Sequence, residues 1–575
     1  MSSLPPVLIM LAAAAIILVA PRHIRRFVAV AAPALVFAQF VWIFEPGDTL
    51  NVNWLSLELQ PLRVDALSLV FGYVFGIAAF LGGLYAWHLN DRVQQAAALT
   101  YAGSAVGVVF AGDLVTVVVF WEMMAVASTY LIWAGGRERS RRAAIRYLFV
   151  HVVGGTFLLG GVLWHLGGGG GLEFTLFDGG AAAALVLIGF VINAAVPPLH
   201  AWLPDAYPEG SITGSVFLSA FTTKTAVYVL ARGFAGWDIL LPAGVFMALY
   251  GVFFAMMESD MRRLLAYHIV SQVGYMVAAV GIGTEIAING AAAHAFAHVI
   301  YKGLLFMGAG ATIYATGRRA FPDLGGIGHK MPLIVGLYMV GALSISAFPL
   351  FSGFTSKSLV IFAAEESHIS WAVFLLYVTS VGTFLSTTLK LPYLTWFGPK
   401  RDDIPVRPVP WGMTAAMGVA AVLCIALGVY APLLYNVLPF PVDYEPYSAY
   451  HVIWTVQLLA FTAIAFWLFL PRIYGEHATT LDTDWFYRKA RRPVAVLVQQ
   501  PLEWVFTTSE RLVMRTNRAV ASATMHPDRA WAWIAKAFGQ QPAEHMNPSL
   551  GRPPLGSSLA VIMLLIIVIV LVASF

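Results

Sequence analysis

The sequence is nearly without cysteine. Cys424 is the only one in 575 residues, which excludes an intrachain disulfide. A single thiolate also cannot hold an iron–sulfur cluster or a cysteine-based zinc site. Charge is scarce as well: Asp, Glu, Lys and Arg make up 11% of the chain against 59% hydrophobic residues. No soluble domain of this length has that balance. Redox chemistry, if the protein takes part in any, belongs to a partner, and neither a cofactor nor a metal is expected on this chain. The formal net charge of +4 does not point to nucleic acid, because the basic residues sit in short loops between apolar runs. What remains is an all-α polytopic membrane protein in contact with the lipid bilayer.

Windows of about 20 apolar residues mark a span. They predict sixteen, near 4–20, 27–44, 64–88, 95–112, 114–134, 143–166, 181–203, 211–231, 239–257, 264–283, 287–315, 332–362, 370–397, 411–436, 452–471 and 558–574. The first has no basic residues before it and runs into Arg22, Arg25 and Arg26, so it reads as a span and not as a cleaved signal. Loops rich in Lys and Arg, from Arg22 to Arg407, alternate onto one side, whereas the other side carries Arg63 and Arg232. The bias of basic loops toward the cytoplasm then places both termini outside. Residues 472–557 form the one long cytoplasmic connection. Its runs Trp485–Val498, Leu502–Ala523 and Arg529–Phe538 mix apolar and basic residues at helical spacing and are cut by Pro493, Pro501 and Pro527. Basic amphipathic helices of this kind lie along a membrane surface or a partner's flank.

Proline and glycine interrupt two spans. Pro197 and Pro198 stand in span 7, Pro349 and Gly353 in span 12. Each break frees backbone carbonyls that must be buried in protein or face water. Paired interruptions in two halves of a chain point to a transport site between repeats, and a separation of five spans would invert the second unit.

Ionisable residues occur where lipid would penalise them. In AAAHAFAHVIYKGLLFMGAGATIY, His294, His298 and Lys302 recur every four residues. Each step climbs about 6 Å on one helical face, so the three make a ladder roughly 12 Å tall. A single mid-membrane Lys costs about 2.5–3.5 kcal/mol on insertion scales. Glu122 stands mid-span in VVVFWEMMAVAST and Lys224 in SVFLSAFTTKTAVYVL. Desolvation favours the neutral form of both groups and makes their protons exchangeable. Lys357 follows the span-12 break and Lys390 lies near the end of span 13; both are candidates for the proton path, and the long stem of each would also allow it to reach the interface. His151 and His268, close to predicted span ends, read as interfacial. No carboxylate completes a metal set around the histidine pair.

Together FWEMMAVASTYLI, PPLHAWLPDAYPEG, FTTKTAVYVLAR, ESDMRRLLAYHIVSQVGYM, HAFAHVIYKGLLFMGAG and FPLFSGFTSK resemble the antiporter-like membrane subunits shared by respiratory complex I and Mrp-type multisubunit cation/proton antiporters. The resemblance, covering roughly 60–400, implies a core of fourteen helices with two inverted five-helix repeats, each housing a proton half-channel. It implies N-terminal helices in 1–94, repeats in 95–234 and 235–400, and two further helices in 401–471. A lateral amphipathic segment in 472–557 and an anchoring helix in 558–575 would follow. Carried over by position, Glu122 resembles the span-5 glutamate, Lys224 the span-8 lysine, His294, His298 and Lys302 the span-11 motif, and Lys357 the charged residue of the broken span 12. One position departs. Five residues before the second span-7 proline, where the family usually has lysine, this chain has Asn193, whose amide orients water but carries no exchangeable charge. Either Lys224 takes over as partner of Glu122 or the first half-channel works differently.

The resemblance implies partners, namely other membrane subunits, with protons and sodium ions as the candidate cargo. The reading is a proton-translocating subunit of an Mrp-like antiporter in the bacterial cytoplasmic membrane. The alternatives are a redox-driven pump of the complex I or membrane-bound hydrogenase kind, a subunit coupling protons to inorganic carbon uptake, and a non-conducting scaffold.

Overall fold

A computed structural model describes residues 4–54, 57–473, 482, 483, 485, 489, 500–525, 532, 533 and 536–539. Spans 1 to 6 are the helices Pro6–Val19, Arg22–Trp42, Ala66–Tyr85, Arg92–Phe110, Leu114–Trp133 and Glu138–Gly167. Span 7 is Gly180–Ala194, and span 8 is the pair Gly214–Ala220 and Thr222–Gly233. Spans 9 to 11 are Leu240–Met257, Met261–Ile282 and Glu285–Thr316. Span 12 is split into Pro332–Ile345 and Ser352–Glu366; span 13 starts at Ser370–Thr383, and spans 14 and 15 are Trp411–Val429 and Ala449–Ile473. The expected sixteenth span and most of the run Trp485–Val498 lie outside the described residues. Residues 1–483 form one compact unit and 484–575 another. In the second, the helix Gln500–Met525 covers the expected run 502–523.

Side-chain caps set the helix starts. Asp65, Asp91, Asp113 and Asp260 accept backbone N–H groups at the heads of spans 3, 4, 5 and 10, and Thr284 does so for span 11. Spans 10 and 11 end at Gly283 and Gly317, both left-handed (φ 76° and 73°). Span 11 is buried along nearly its whole length, so its polar face has only protein around it. Spans 9 and 10 approach so closely that a Cβ on Gly251 would collide with the Ser271 backbone nitrogen, a packing that only small residues permit.

The two proline breaks have the same backbone. Span 7 ends with Ala195 left-handed (φ 60°), its N–H on Ile192 O and that of Val196 on Val191 O; span 12 ends with Ala347 left-handed (φ 56°), its N–H on Ser344 O and that of Phe348 on Leu343 O. Helix ends of this form satisfy two carbonyls and leave the next ones free.

Three features differ from expectation. Span 8 breaks at Phe221 without glycine or proline, and span 13 continues as π-helix over Phe384–Lys390 and Tyr393–Phe397. An antiparallel hairpin of β1 (Thr49–Trp54) and β2 (Leu57–Arg63) joins spans 2 and 3, with Thr49 opposite Arg63 and Trp54 opposite Leu57. Its strands are too short to stand out beside the long apolar runs.

Candidate functional site

Buried polar groups run through the bundle from span 5 to span 13. The outermost is Glu122, half-buried between Val119 and Val126, which are 51% and 63% exposed one turn to either side. The carboxyl lies against Gly155 of span 6, where an added Cβ would collide with Oε1. Gly155→Ala is therefore expected to displace the Glu122 carboxyl and to reduce any transport that depends on it by about 10²-fold, the low end for a positioned proton-transfer group. Flux measured in vesicles containing the intact assembly checks this.

One turn before Gly155 on the same helix is His151. It is buried, not interfacial as the sequence had indicated, because the helix begins at Glu138 and not near 143, which moves residue 151 toward the helix middle. Its ring packs in a triangle with Tyr147 and Trp202, at 4.0 and 4.6 Å between centroids. Asn193, also fully buried, lies close enough to the imidazole to influence it. Neither ring nitrogen nor either amide atom has a hydrogen-bond partner among the described residues. Tyr147 continues the line. Its hydroxyl is 2.8 Å from Ser128 Oγ and 3.4 Å from Thr222 Oγ1, which in turn is 2.6 Å from the Tyr101 hydroxyl.

Lys224, two residues past Thr222, does not bond to Glu122. Its Nζ donates to Ser219 O at 2.6 Å and Thr223 Oγ1 at 3.1 Å. The kink at Phe221 turns the chain away from regular i→i+4 bonding, and the lysine occupies a carbonyl at that break. Lys357 uses the same device in span 12, where Nζ donates to Ile345 O at 2.7 Å, beside the Ala347 break, and lies 5.1 Å above the Tyr275 ring. Each of these lysines holds a carbonyl that a helix interruption leaves available.

The span-11 ladder lies between them, every rung fully buried. His294 Nδ1 is 3.1 Å from Ser356 Oγ, next to Lys357 in sequence. Both nitrogens of His298 and the Nζ of Lys302 have no hydrogen-bond partner among the described residues. Lys302 is within electrostatic reach of both Lys224 and Lys357. Tyr301 donates to Gln272 Oε1 at 3.4 Å, and Gln272 Nε2 donates to Thr383 Oγ1 at 3.4 Å. His268, buried two turns into span 10, is 2.7 Å from Ser386 Oγ in the π-helical part of span 13. Lys390 lies buried where that stretch ends, and its Nζ donates to Met256 O and, at 2.9 Å, to Glu258 O. It caps the end of span 9, a structural bond that the sequence did not foretell.

Ion pairs close the basic-loop face. Arg146 holds Asp205 through two bonds of 2.6 and 2.9 Å, and Arg319 holds Glu209 at 2.8 Å and Asp260 at 2.7 Å. A further cluster forms where the chain emerges from span 15. Asp482, 7% exposed, accepts from the hydroxyls of Tyr250 and Tyr267 (2.6 Å for the latter), and its Oδ2 is 3.1 Å from His200 Nε2. His200 stands in the loop after the span-7 break. Burial by itself would push the Asp482 carboxyl up, but the hydrogen bond and charge of His200, with the two tyrosine hydroxyls, outweigh it and hold the group well below the usual carboxylate range. On the opposite face Arg232 holds Asp65 at 2.6 Å.

Residues 111–385, which carry nearly all of this line, match the model for "NADH:quinone oxidoreductase/Mrp antiporter, TM". The NADH-quinone oxidoreductase subunit N of Desulforudis audaxviator is 32% identical over 422 residues, covering 66% of this chain and 82% of the relative. The chain belongs to this family. A Na(+)/H(+) antiporter subunit of Alkalihalophilus pseudofirmus is 33% identical over 349 residues, 55% of this chain and 70% of the relative. Among solved structures, a chain of the Mrp complex from Dietzia matches with a TM-score of 0.66 at 24% identity, covering 81% of this chain and 97% of its own. A chain of an archaeal membrane-bound sulfane sulfur reductase matches with a TM-score of 0.71 at 23% identity, covering 98% and 99%. At these identities the likeness shows the family fold, an integral membrane bundle of many helices.

Proposed function

We propose that this chain is the proton-translocating subunit of a multisubunit, Mrp-like cation/proton antiporter in the bacterial cytoplasmic membrane. The observation that carries the reading is the arrangement of lysines. Lys224 and Lys357 each sit on a carbonyl at a helix break, and Lys302 stands between them with no hydrogen-bond partner among the described residues. An ammonium placed this way has only neutral partners and no counter-ion bonded to it, so a proton arriving or leaving nearby changes its balance appreciably. In the proposed sequence a proton enters through the first half, near Glu122 and Lys224. It shifts the charge along His298 and Lys302, with His294 beside them, and leaves through Lys357. Release there is coupled to a neighbouring subunit. Lys390 and His268 continue the row toward the basic-loop face, taken here as cytoplasmic.

Glu122 supports the need for neighbours. A carboxyl on an outward face at mid-membrane is costly against lipid, and such groups ordinarily face protein or water. Another membrane subunit packed on span 5 would cover it. The matching breaks at Ala195 and Ala347 support the division into two repeats. A redox-driven pump is the second reading, favoured by the sulfane sulfur reductase chain, whose match extends over 98% of this one. Cytoplasmic cofactor-bearing subunits in the purified assembly would select it.

The test is proton flux in vesicles carrying the intact assembly and a pH-sensitive dye. Lys224→Ala and Lys357→Ala are each expected to lower flux by about 10²-fold or more, as for loss of a positioned proton-transfer group. Unchanged flux in fully assembled variants would leave the chain a scaffold.

A further inference from the structure

We propose that His151, beside Asn193, is the proton carrier of the first half-channel and does the work of the ionisable side chain that position 193 lacks. The inference rests on the proton-translocating reading above and concerns which group completes its first half. Four observations place His151 there. It is 1% exposed, deep in a helix that otherwise presents Gly154, Gly155 and Leu158 to its neighbours. It lies one turn from the glycine that receives the Glu122 carboxyl. Both its nitrogens and both amide atoms of Asn193 are buried without a hydrogen-bond partner among the described residues, an arrangement a purely structural histidine seldom has. Beyond it, the Tyr147 hydroxyl, also bonded to Ser128, reaches Thr222 Oγ1 at 3.4 Å in the stretch that bears Lys224.

An imidazole accepts a proton on one ring nitrogen and gives one up from the other, so it passes a proton without a net change of its own. The donor is the Glu122 carboxyl and the eventual acceptor is the Lys224 amine, and charge and protons balance at every transfer. Asn193 supplies an amide that can either donate to or accept from the ring, and so serves both imidazole tautomers. Tyr147 and Trp202, 5.4 Å apart and both against the imidazole, fix its ring plane. The groups facing His151 are then Glu122 by way of Gly155 on span 5, Asn193 on span 7, Trp202 in the loop after it, and Tyr147 on its own helix. None of them is a fixed cation.

The experiment uses the intact assembly in vesicles and compares His151→Gln, the double variant His151→Gln with Asn193→Lys, and Lys357→Ala. His151→Gln is expected to lower proton flux by about 10²-fold, and the double variant to regain flux to within a few-fold of wild type, because the lysine supplies the missing carrier. Flux unchanged in His151→Gln but lost in Lys357→Ala overturns the role of His151 and leaves the functional reading in place. Flux unchanged in both overturns that reading. Loss in His151→Gln without rescue by Asn193→Lys assigns the histidine to packing and also overturns the proposal. Where His151→Gln lowers the amount of assembled complex, Tyr147→Phe decides, since it keeps the ring stack and removes the hydroxyl: a comparable loss of flux supports the carrier route and unchanged flux sinks it.

Discussion

Lys302→Met is expected to make the protein harder to unfold and to stop it conducting. Methionine fills nearly the space of the lysine stem, and the stem is already packed. What the substitution removes is the Nζ, which is buried and meets no hydrogen-bond partner among the described residues. A buried polar group without a partner costs about 1–3 kcal/mol, and the variant should recover that amount. Proton flux should fall by about 10²-fold or more, because thioether sulfur binds no proton at any relevant pH. Thermal unfolding of the purified assembly, followed by tryptophan fluorescence, reads the first effect and dye-loaded vesicles read the second. Lys357→Met provides the contrast. There the ammonium holds Ile345 O, so the substitution leaves a freed carbonyl unpaired and stability should drop. A Lys302→Met protein that unfolds earlier than wild type would mean that the ammonium has a partner after all, and the idea of a mobile charge between two anchored ones would go with it.

Asp482→Ala is expected to be the most destabilising single change outside the spans. The carboxylate gathers His200, Tyr250 and Tyr267 from three separate elements, and Thr483 places its hydroxyl 3.4 Å from Pro198 O in the span-7 break. Removing the carboxylate leaves its three polar partners without it, at a cost of about 1–3 kcal/mol for each buried group orphaned. The linkage has a definite sign. A carboxyl held low in the folded state contributes stability in full above its unfolded value of about 3.9, and that contribution is lost as pH falls through the lower folded value. Near neutral pH the carboxylate's own titration therefore adds no pH dependence to the loss caused by Asp482→Ala. Limited proteolysis between residues 474 and 500 gives a second readout, with faster cleavage expected in the variant. Equal cleavage and an equal unfolding midpoint would show that the cluster does not secure the chain at this point.

The spans were legible because lipid enforces long apolar runs, and the breaks at Pro197 and Pro349 because proline cannot continue a helix. Phe221 and the π-helical part of span 13 gave no such sign. Serines and threonines cluster at both places, yet those residues also occur in unbroken membrane helices. The ladder could be read from spacing alone, and the missing lysine at Asn193 from the family resemblance. His151 could not, because its depth depends on where the helix begins, and the arginine-rich turn that starts span 6 looks like loop in a hydropathy window. Asp482 was out of reach for another reason: its partner His200 stands 282 positions away, and no local pattern announces that contact.

The outward carboxyl of Glu122 has a consequence for how such a protein is made. A copy inserted before its neighbour would hold an acid only half covered by its own span 6 beside acyl chains halfway through the bilayer, at a cost of up to a few kcal/mol. That cost disappears only when another subunit arrives. The same group thus marks an orphan copy as unfinished and ties its survival to balanced synthesis of the assembly.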